Sequence, residues 1–195
     1  MQGYQSPIIL QQDNTISIKQ CMSTKGKNRG ALYNQISKIF EVKDKIILRI
    51  NSKLYQLDEY HFHINGEHKI NGQIYPSEIH YVFIELGTKK HFDKNHTCSN
   101  ICGGVSSDDG DILVIGRVIN FQQYPVNENI SKVQVNLPHG YYEYDGSLTT
   151  GTFSPVRWIV GEDPMYFNMD DLQPYSKTAR PLQPLDGRII LFSSN

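Results

Sequence analysis

The sequence has few cysteines. Its 195 residues include three, Cys21, Cys98 and Cys102. An odd number of cysteines argues against a disulfide framework and favours a reducing compartment. Cys98 and Cys102 form a C-x3-C pair beside His96, in a polar stretch of the chain. Such a pair is a weak zinc signature, so a second metal site, free thiols and a local disulfide all stay open as interpretations.

The sequence also lacks any long apolar run. The longest one, ILVIG at Ile112–Gly116, is much shorter than the roughly 20 residues that a helix needs to span a bilayer, so no transmembrane segment is expected. The first residues, MQGYQSPIIL, do not show the basic stretch followed by an apolar stretch that is typical of a secretory signal. Together with the odd cysteine count, this favours an intracellular location.

Neither sign of charge is in excess. Nineteen lysines and arginines stand against twenty aspartates and glutamates, which gives a formal net charge of −1 at pH 7. Binding to nucleic acid or to an anionic membrane depends on an excess of basic residues. No nucleic-acid partner is therefore expected.

The chain has no repeat and no linker rich in proline, glycine or serine, and its length is that of one domain, residues 1–195. Short apolar segments separated by turn-forming residues predict a mainly β fold. The predicted strands are KIILRI (Lys45–Ile50), EIHYVFIEL (Glu78–Leu86), DILVIGRVINF (Asp111–Phe121), VRWIV (Val156–Val160) and RIILF (Arg188–Phe192). Ser131–Leu137 and Met169–Tyr175 could each form a helical turn or two, and Lys89–Asp109 reads as a loop.

Three histidines have the spacing of a metal site. In the stretch EYHFH, alternation along a strand puts His61 and His63 on one face and Tyr60 and Phe62 on the other. The turn-rich stretch NGEHKINGQIYP then leads into a strand that carries His80. If the two strands pair antiparallel, His80 reaches the same point as the first two histidines.

Three imidazoles around one open position are typical of catalytic zinc. Zinc-bound histidines donate their outer N–H to an acceptor, and Glu59 and Glu78 are the candidates for that role. Histidines on a strand are more often ordinary surface or core residues, so the spacing alone leaves both interpretations open.

The same segment resembles the α-class carbonic anhydrases, whose pattern is Q-F-H-F-H, then S-E-H, then E-x-H-x-V. Here EYHFH has Glu59 in place of the glutamine, GEH (Gly66–His68) has glycine in place of the serine, and EIHYV matches directly. Three further blocks agree in the family's order: QSPIIL (Gln5–Leu10), YYEYDGSLTTGTFSPVRWIV (Tyr141–Val160) and ARPLQPLDGR (Ala179–Arg188). The chain is identified on these blocks as a member of that family.

The resemblance implies a large, mostly antiparallel twisted β-sheet with a few short helices. It also implies Zn²⁺ bound by His61, His63 and His80, and reversible hydration of carbon dioxide to bicarbonate and a proton by a zinc-bound hydroxide. In carbonic anhydrases the zinc lowers the pKa of its bound water to about 7.

The resemblance assigns roles to further residues. Thr149 would accept the hydroxide proton and donate its own to Glu67, which as a carboxylate is an acceptor only. Thr150 would line the substrate position. The apolar pocket for carbon dioxide would comprise Val82, Val114, Leu148 and Trp158.

Two departures from the family pattern bear on activity. The stretch EVKDKIILRI (Glu41–Ile50) lacks the family's proton-shuttle histidine, with Asp44 or Lys45 near its position. Without a shuttle of pKa near 7 we expect slow proton transfer and low activity. Phe153 stands where many secreted members have a disulfide cysteine, which agrees with an intracellular location.

Two alternative functions stay open. A related protein could serve as a binding or assembly module with a protein partner and little or no catalytic activity. A zinc hydrolase acting on esters is the other, although the sequence has no H-E-x-x-H motif.

Overall fold

A computed structural model describes residues 4–87, 112–122 and 129–194, and most of these residues lie in strands. The strands are β1 (Ile9–Leu10), β2 (Thr15–Ser17), β3 (Met22–Lys25), β4 (Leu32–Asn34), β5 (Ile39–Glu41), β6 (Ile47–Ile50), β7 (Lys53–Ile64), β8 (Lys69–Ile70), β9 (Gln73–Ile74), β10 (Ser77–Glu85), β11 (Ile112–Phe121), β12 (Gly140–Ser147), β13 (Pro155–Phe167), β14 (Ser176–Thr178) and β15 (Ile190–Ser194). The helix α1 covers Met169–Leu172, and short 3₁₀ turns cover Gln12–Asn14, Ile130–Lys132 and Gln173–Tyr175.

Twelve of these strands form one large sheet, in which the main path runs β2-β15-β12-β13-β11-β10-β7-β5-β4. Strands β6 and β14 also pair with β7, and β3 pairs with β6. Most pairs are antiparallel, whereas β11–β13, β7–β14 and β2–β15 are parallel. The remaining strands form a small sheet in the order β1-β8-β9. The predicted β-rich fold is thus confirmed, as a mixed sheet in which antiparallel pairs predominate.

The long strands bury both faces of the large sheet. One apolar cluster contains Tyr60, Phe62 and Tyr81, and the other contains Val82 and Trp158. Neighbouring residues of one strand therefore enter different clusters, as the two-residue alternation of side chains requires. His61 and His63 alternate with Tyr60 and Phe62 along β7 and so project on the opposite face, the face of Val82 and Trp158.

The five predicted strands are all present with shifted ends. The helical turns at Met169–Tyr175 are also present, whereas Ser131–Leu137 is helical only at its start, in the turn that ends at Lys132. The β-branched Val133 and Val135 that follow favour extended backbone. The predicted loop Lys89–Asp109 lies outside the described residues, and so do Cys98 and Cys102. Cys21 is exposed and free.

The described part of the chain contains no helix that is both long and apolar enough to cross a membrane.

Candidate metal centre

Strands β7 and β10 bring the three histidines together. They pair antiparallel, with His80 opposite His61 and Glu78 opposite His63. All three histidines are buried, and their ring centroids lie 4.7 to 5.3 Å apart. One ring nitrogen from each lies within 4.8 Å of the others, so the three rings face a common point. No fourth histidine, cysteine or carboxylate joins this group within the described residues.

The outer nitrogens of these rings face acceptors. Nε2 of His80 lies 3.0 Å from Oε1 of Glu78, which leaves its Nδ1 for a ligand. Nδ1 of His63 lies 3.4 Å from the carbonyl oxygen of Thr178. Nδ1 of His61 lies 3.3 Å from Oε1 of Glu59 but does not form a hydrogen bond in this geometry. Acceptors of this kind fix ring orientation and tautomer in metal sites.

The donor set suits zinc. Nε2 of His63 is buried and has no hydrogen-bond partner among the described residues, which is costly unless an ion or a water fills the place. Burial, with a contribution from the charge of His80, lowers the pKa of His61 and His63 well below the usual histidine value. Both rings are therefore neutral at pH 7, as metal ligation requires. Imidazole nitrogens in a three-ligand group match a zinc site with an open position.

Glu78 is the centre of a buried hydrogen-bond network beside this site. Its Oε2 accepts hydrogen bonds from the backbone N–H groups of Glu67 and His68, at 2.8 and 2.9 Å. Its Oε1 lies 2.6 Å from Nδ1 of His68, whose Nε2 lies 2.6 Å from the hydroxyl of Tyr144. Burial would raise the pKa of Glu78, but the charge of His68 and the hydrogen bonds of both histidines outweigh it and hold that pKa well below its usual value.

This network also explains why glycine occupies position 116. Gly116 lies opposite His80 on β11, and a Cβ at that position would lie 2.9 Å from Oε1 of Glu78. The close approach of β10 and β11 at Glu78 therefore depends on glycine, which has no side chain, at position 116. His68, Glu78 and His80 form a second group with metal-ligand spacing. Because His68 and Glu78 already bind one another, the three histidines are the better candidate.

Glu67 is buried and partly satisfied. Its Oε1 accepts the backbone N–H of Arg180 at 2.7 Å and lies 3.3 Å from Nδ1 of His63. Its Oε2 has no hydrogen-bond partner among the described residues. The resemblance implies a hydrogen bond from Thr149 to this carboxylate, and neither of its oxygens has one from Thr149 in this geometry. Thr149 itself is buried, and Thr150 beside it is half-buried.

The predicted pocket residues form one apolar wall. Val82, Val114 and Trp158 are direct neighbours across β10, β11 and β13. Leu148 packs against the same cluster. The Trp158 ring lies 4.8 Å from the ring of His80, and its Nε1 donates to the carbonyl of Ser147 at 2.9 Å. This hydrogen bond places the start of the segment that carries Thr149 and Thr150 against the wall.

Charged groups flank the histidines on the side of β14. Lys177 lies opposite His63 in the β7–β14 pairing and is half-buried. Burial lowers the pKa of Lys177, against the opposing effect of Glu59 and Glu67. Burial raises the pKa of Glu59, and the positive charge of Lys177 opposes that shift. Glu59 and Lys177 thus offset one another's charge beside the centre.

Asp44 and Lys45 lie away from the histidines. The N–H of Val42 bonds to the carbonyl of Asp58, and that of Leu57 to the carbonyl of Ile46. The segment between Val42 and Ile46 is thus three to four residues along β7 from His61, roughly 10–13 Å at the usual rise of a strand. Oδ2 of Asp44 accepts the N–H of Arg29 at 2.7 Å.

Sequence reasoning missed several contributors to the site. His68 has a sequence signal, since it belongs to the matched GEH block, but it was assigned no role. The carbonyl of Thr178 and the N–H of Arg180 act through the backbone, so their side chains carry no signal. Only the pairing of β14 with β7 shows that this segment reaches the histidines.

The fold and the site define a β-sheet protein with a buried three-histidine centre that suits a divalent metal. The profile of the eukaryotic-type carbonic anhydrases matches residues 2–194, and the chain belongs to this family.

Comparison with individual proteins points to the same family. The chain is 27% identical over 170 residues to a carbonic anhydrase of Pectobacterium atrosepticum, covering 74% of this chain and 61% of the relative. It is 27% identical over 213 residues to human carbonic anhydrase 7, covering 90% and 79%. The structure of an α-carbonic anhydrase of Photobacterium profundum superposes with a TM-score of 0.70 at 25% identity, covering 96% of this chain and 88% of that one. The chain spans about three fifths of the length of the bacterial relatives it matches (61% and 58%).

Proposed function

We propose that the chain is a zinc enzyme that catalyses the reversible hydration of carbon dioxide to bicarbonate and a proton. The observation that carries this proposal is the convergence of His61, His63 and His80 on one buried point, with an acceptor facing an outer nitrogen of each ring. Family membership supports the same reaction.

The residues present fit a zinc ion held by those three rings. When bound, zinc lowers the pKa of a coordinated water to about 7, the value established for carbonic anhydrases, and so supplies a nucleophile at neutral pH. Glu78 holds the ring of His80 so that Nδ1 faces the centre. Val82, Val114, Leu148 and Trp158 exclude water from the place where an apolar substrate is held.

Thr149 and Glu67 would act on the proton of the nucleophile. Oε2 of Glu67 has no hydrogen-bond partner among the described residues, and a hydrogen bond from the Thr149 hydroxyl to this oxygen would orient the nucleophile. Thr150 would hold the product against the same wall. Glu59 and Lys177 complete the rim with offsetting charge.

Removal of the metal should abolish activity. Because three imidazoles are the donor set of the centre, dialysis against a strong zinc chelator is expected to reduce stopped-flow hydration of carbon dioxide to the buffer rate, and one equivalent of Zn²⁺ should restore it. Mg²⁺ serves as the control, since it prefers oxygen ligands.

The opposite result would favour the alternative function. A protein that holds one zinc ion and hydrates carbon dioxide no faster than its chelated form would be a binding or assembly module on this fold, with the metal in a structural role.

Proton transfer should limit the turnover. No histidine among the described residues lies near the centre apart from the three ligands and His68, and His68 is bound on both sides. Small imidazole buffers are therefore expected to raise kcat with increasing buffer concentration and to leave kcat/KM unchanged, because they act only on the proton-release step. A bulky buffer of the same pKa is the control. Equal kcat in the two buffers at all concentrations would show that the chain has an efficient shuttle of its own.

A further inference from the structure

Phe153 has an unusual backbone conformation at the end of the segment that carries Thr149 and Thr150. Its φ angle is 53°, in the left-handed region that bulky residues rarely adopt. Its side chain is 41% exposed, so burial of the ring offsets this strain only in part. Strained residues of this kind persist only where surrounding contacts hold them.

The Phe153 ring has such a contact with Arg180. The guanidinium carbon of Arg180 lies 4.1 Å from the centroid of the Phe153 ring, within the range of a cation–π interaction. The guanidinium is fixed from its other side, since Nη1 donates to the carbonyl of Ser6 at 2.8 Å and Nη2 to Oε1 of Gln5 at 3.1 Å. The ring of Phe153 thus rests on a cation that the N-terminal segment already holds in place.

Arg180 also reaches the metal centre through its backbone. Its N–H donates to Oε1 of Glu67 at 2.7 Å, and that carboxylate lies 3.3 Å from Nδ1 of His63. Phe153 itself lies in a loop that is closed by a hydrogen bond from the N–H of Leu148 to the carbonyl of Ser154 at 2.9 Å. Thr149 and Thr150 lie in the same closed loop as Phe153.

We propose that Phe153 is a positioning residue. Its ring, stacked on the guanidinium of Arg180, ties the loop that carries Thr149 to the residue whose N–H orients Glu67, and so sets the position of the threonine hydroxyl relative to that carboxylate. The proposal rests on the proposed function for its catalytic consequence but not for the contact itself. Its action is through Arg180 and the loop that carries Thr149.

The test uses three variants of the full-length zinc-loaded protein. Phe153→Leu removes the π face at similar size, and Phe153→Trp retains it. Phe153→Gly removes the ring but adopts a positive φ without strain. We expect kcat/KM for carbon dioxide hydration to fall about five-fold in the leucine and glycine variants, the loss that corresponds to an exposed cation–π contact of about 1 kcal/mol, and to stay near the wild-type value with tryptophan. Because we expect proton release to limit kcat, kcat should change little.

Tyr166→Leu, which removes an exposed aromatic ring from β13, is the matched control.

A second measurement does not depend on activity. Hydrogen exchange of the Arg180 amide reports its bond to Glu67, and we expect faster exchange in Phe153→Leu and in Arg180→Lys, which keeps the N–H but loses the planar guanidinium. The two substitutions should be non-additive in the double variant, because they remove the same contact.

The outcomes separate this proposal from the proposed function. Wild-type exchange at Arg180 in the leucine and glycine variants, or strict additivity in the double variant, would overturn the positioning role whatever the activity. Coupled exchange in a protein that does not hydrate carbon dioxide would support the contact and refute the hydratase.

Discussion

His61→Ala is expected to weaken zinc binding by more than the 10- to 100-fold that typically follows loss of an outer hydrogen-bond partner, because it removes a ligand itself. The zinc would then have two imidazole ligands and a water in place of the three imidazole ligands that the geometry offers. Hydration of carbon dioxide should fall to the rate of the chelated protein. His61 lies on β7 with its ring 5.2 and 5.3 Å from those of His63 and His80, and no further histidine, cysteine or carboxylate of the described residues joins this group of three.

Zinc affinity is measured by competition with a chromophoric chelator at pH 7, and the metal content by elemental analysis. His139→Ala is the matched control, since it removes a histidine whose side chain is 90% exposed and which lies outside the centre. Both variants should retain the far-UV circular dichroism of the parent. Unchanged zinc affinity in His61→Ala would mean that the metal binds elsewhere, and the assignment of the three histidines would be wrong.

Most of the metal centre was accessible from the sequence because it depends on local periodicity. Alternation puts His61 and His63 on one face whatever the rest of the fold, and the turn-rich stretch after His63 predicts that the next strand returns beside the first. If the two strands pair antiparallel, His80 can reach the same point, and the structure shows this pairing with His80 opposite His61. Val82 and Trp158 are assigned through the family blocks and Val114 through the alignment of DILVIG with a similar family segment, and the sheet aligns the three in one row.

The remaining features depend on contacts between distant parts of the chain. The order of the strands, with β13 parallel to β11 and β14 parallel to β7, cannot be obtained from alternation, which is the same for either direction of pairing. The cation–π contact of Phe153 with Arg180 joins residues whose types give no signal of it. The distance of Asp44 from His61 likewise appears only when β5 is placed beside β7.

Glu78→Gln is expected to lower the free energy of unfolding of the metal-free protein by about 1–3 kcal/mol, the usual cost of leaving a buried donor or acceptor without its hydrogen-bond partner. The carboxylate is fully buried and accepts from two backbone N–H groups and faces two imidazole nitrogens, His68 Nδ1 and His80 Nε2. Glutamine has nearly the same shape but only one acceptor oxygen. Unless both His68 and His80 change tautomer to accept from the amide group, at least one buried donor loses its partner, and a buried donor without a partner is costly.

Urea unfolding at pH 7 measures this loss. Glu85→Gln, at the other end of the same strand, is the matched control, because its partly exposed pair with Lys53 should contribute less than about 1 kcal/mol. The same substitution at Glu78 should lower zinc affinity about 10- to 100-fold, since it removes the acceptor that orients His80. If Glu78→Gln unfolds at the same urea concentration as Glu85→Gln, the carboxylate is not the centre of the network. If stability falls while zinc affinity is unchanged, Glu78 supports the sheet and the ring of His80 is oriented by its packing against Trp158 instead.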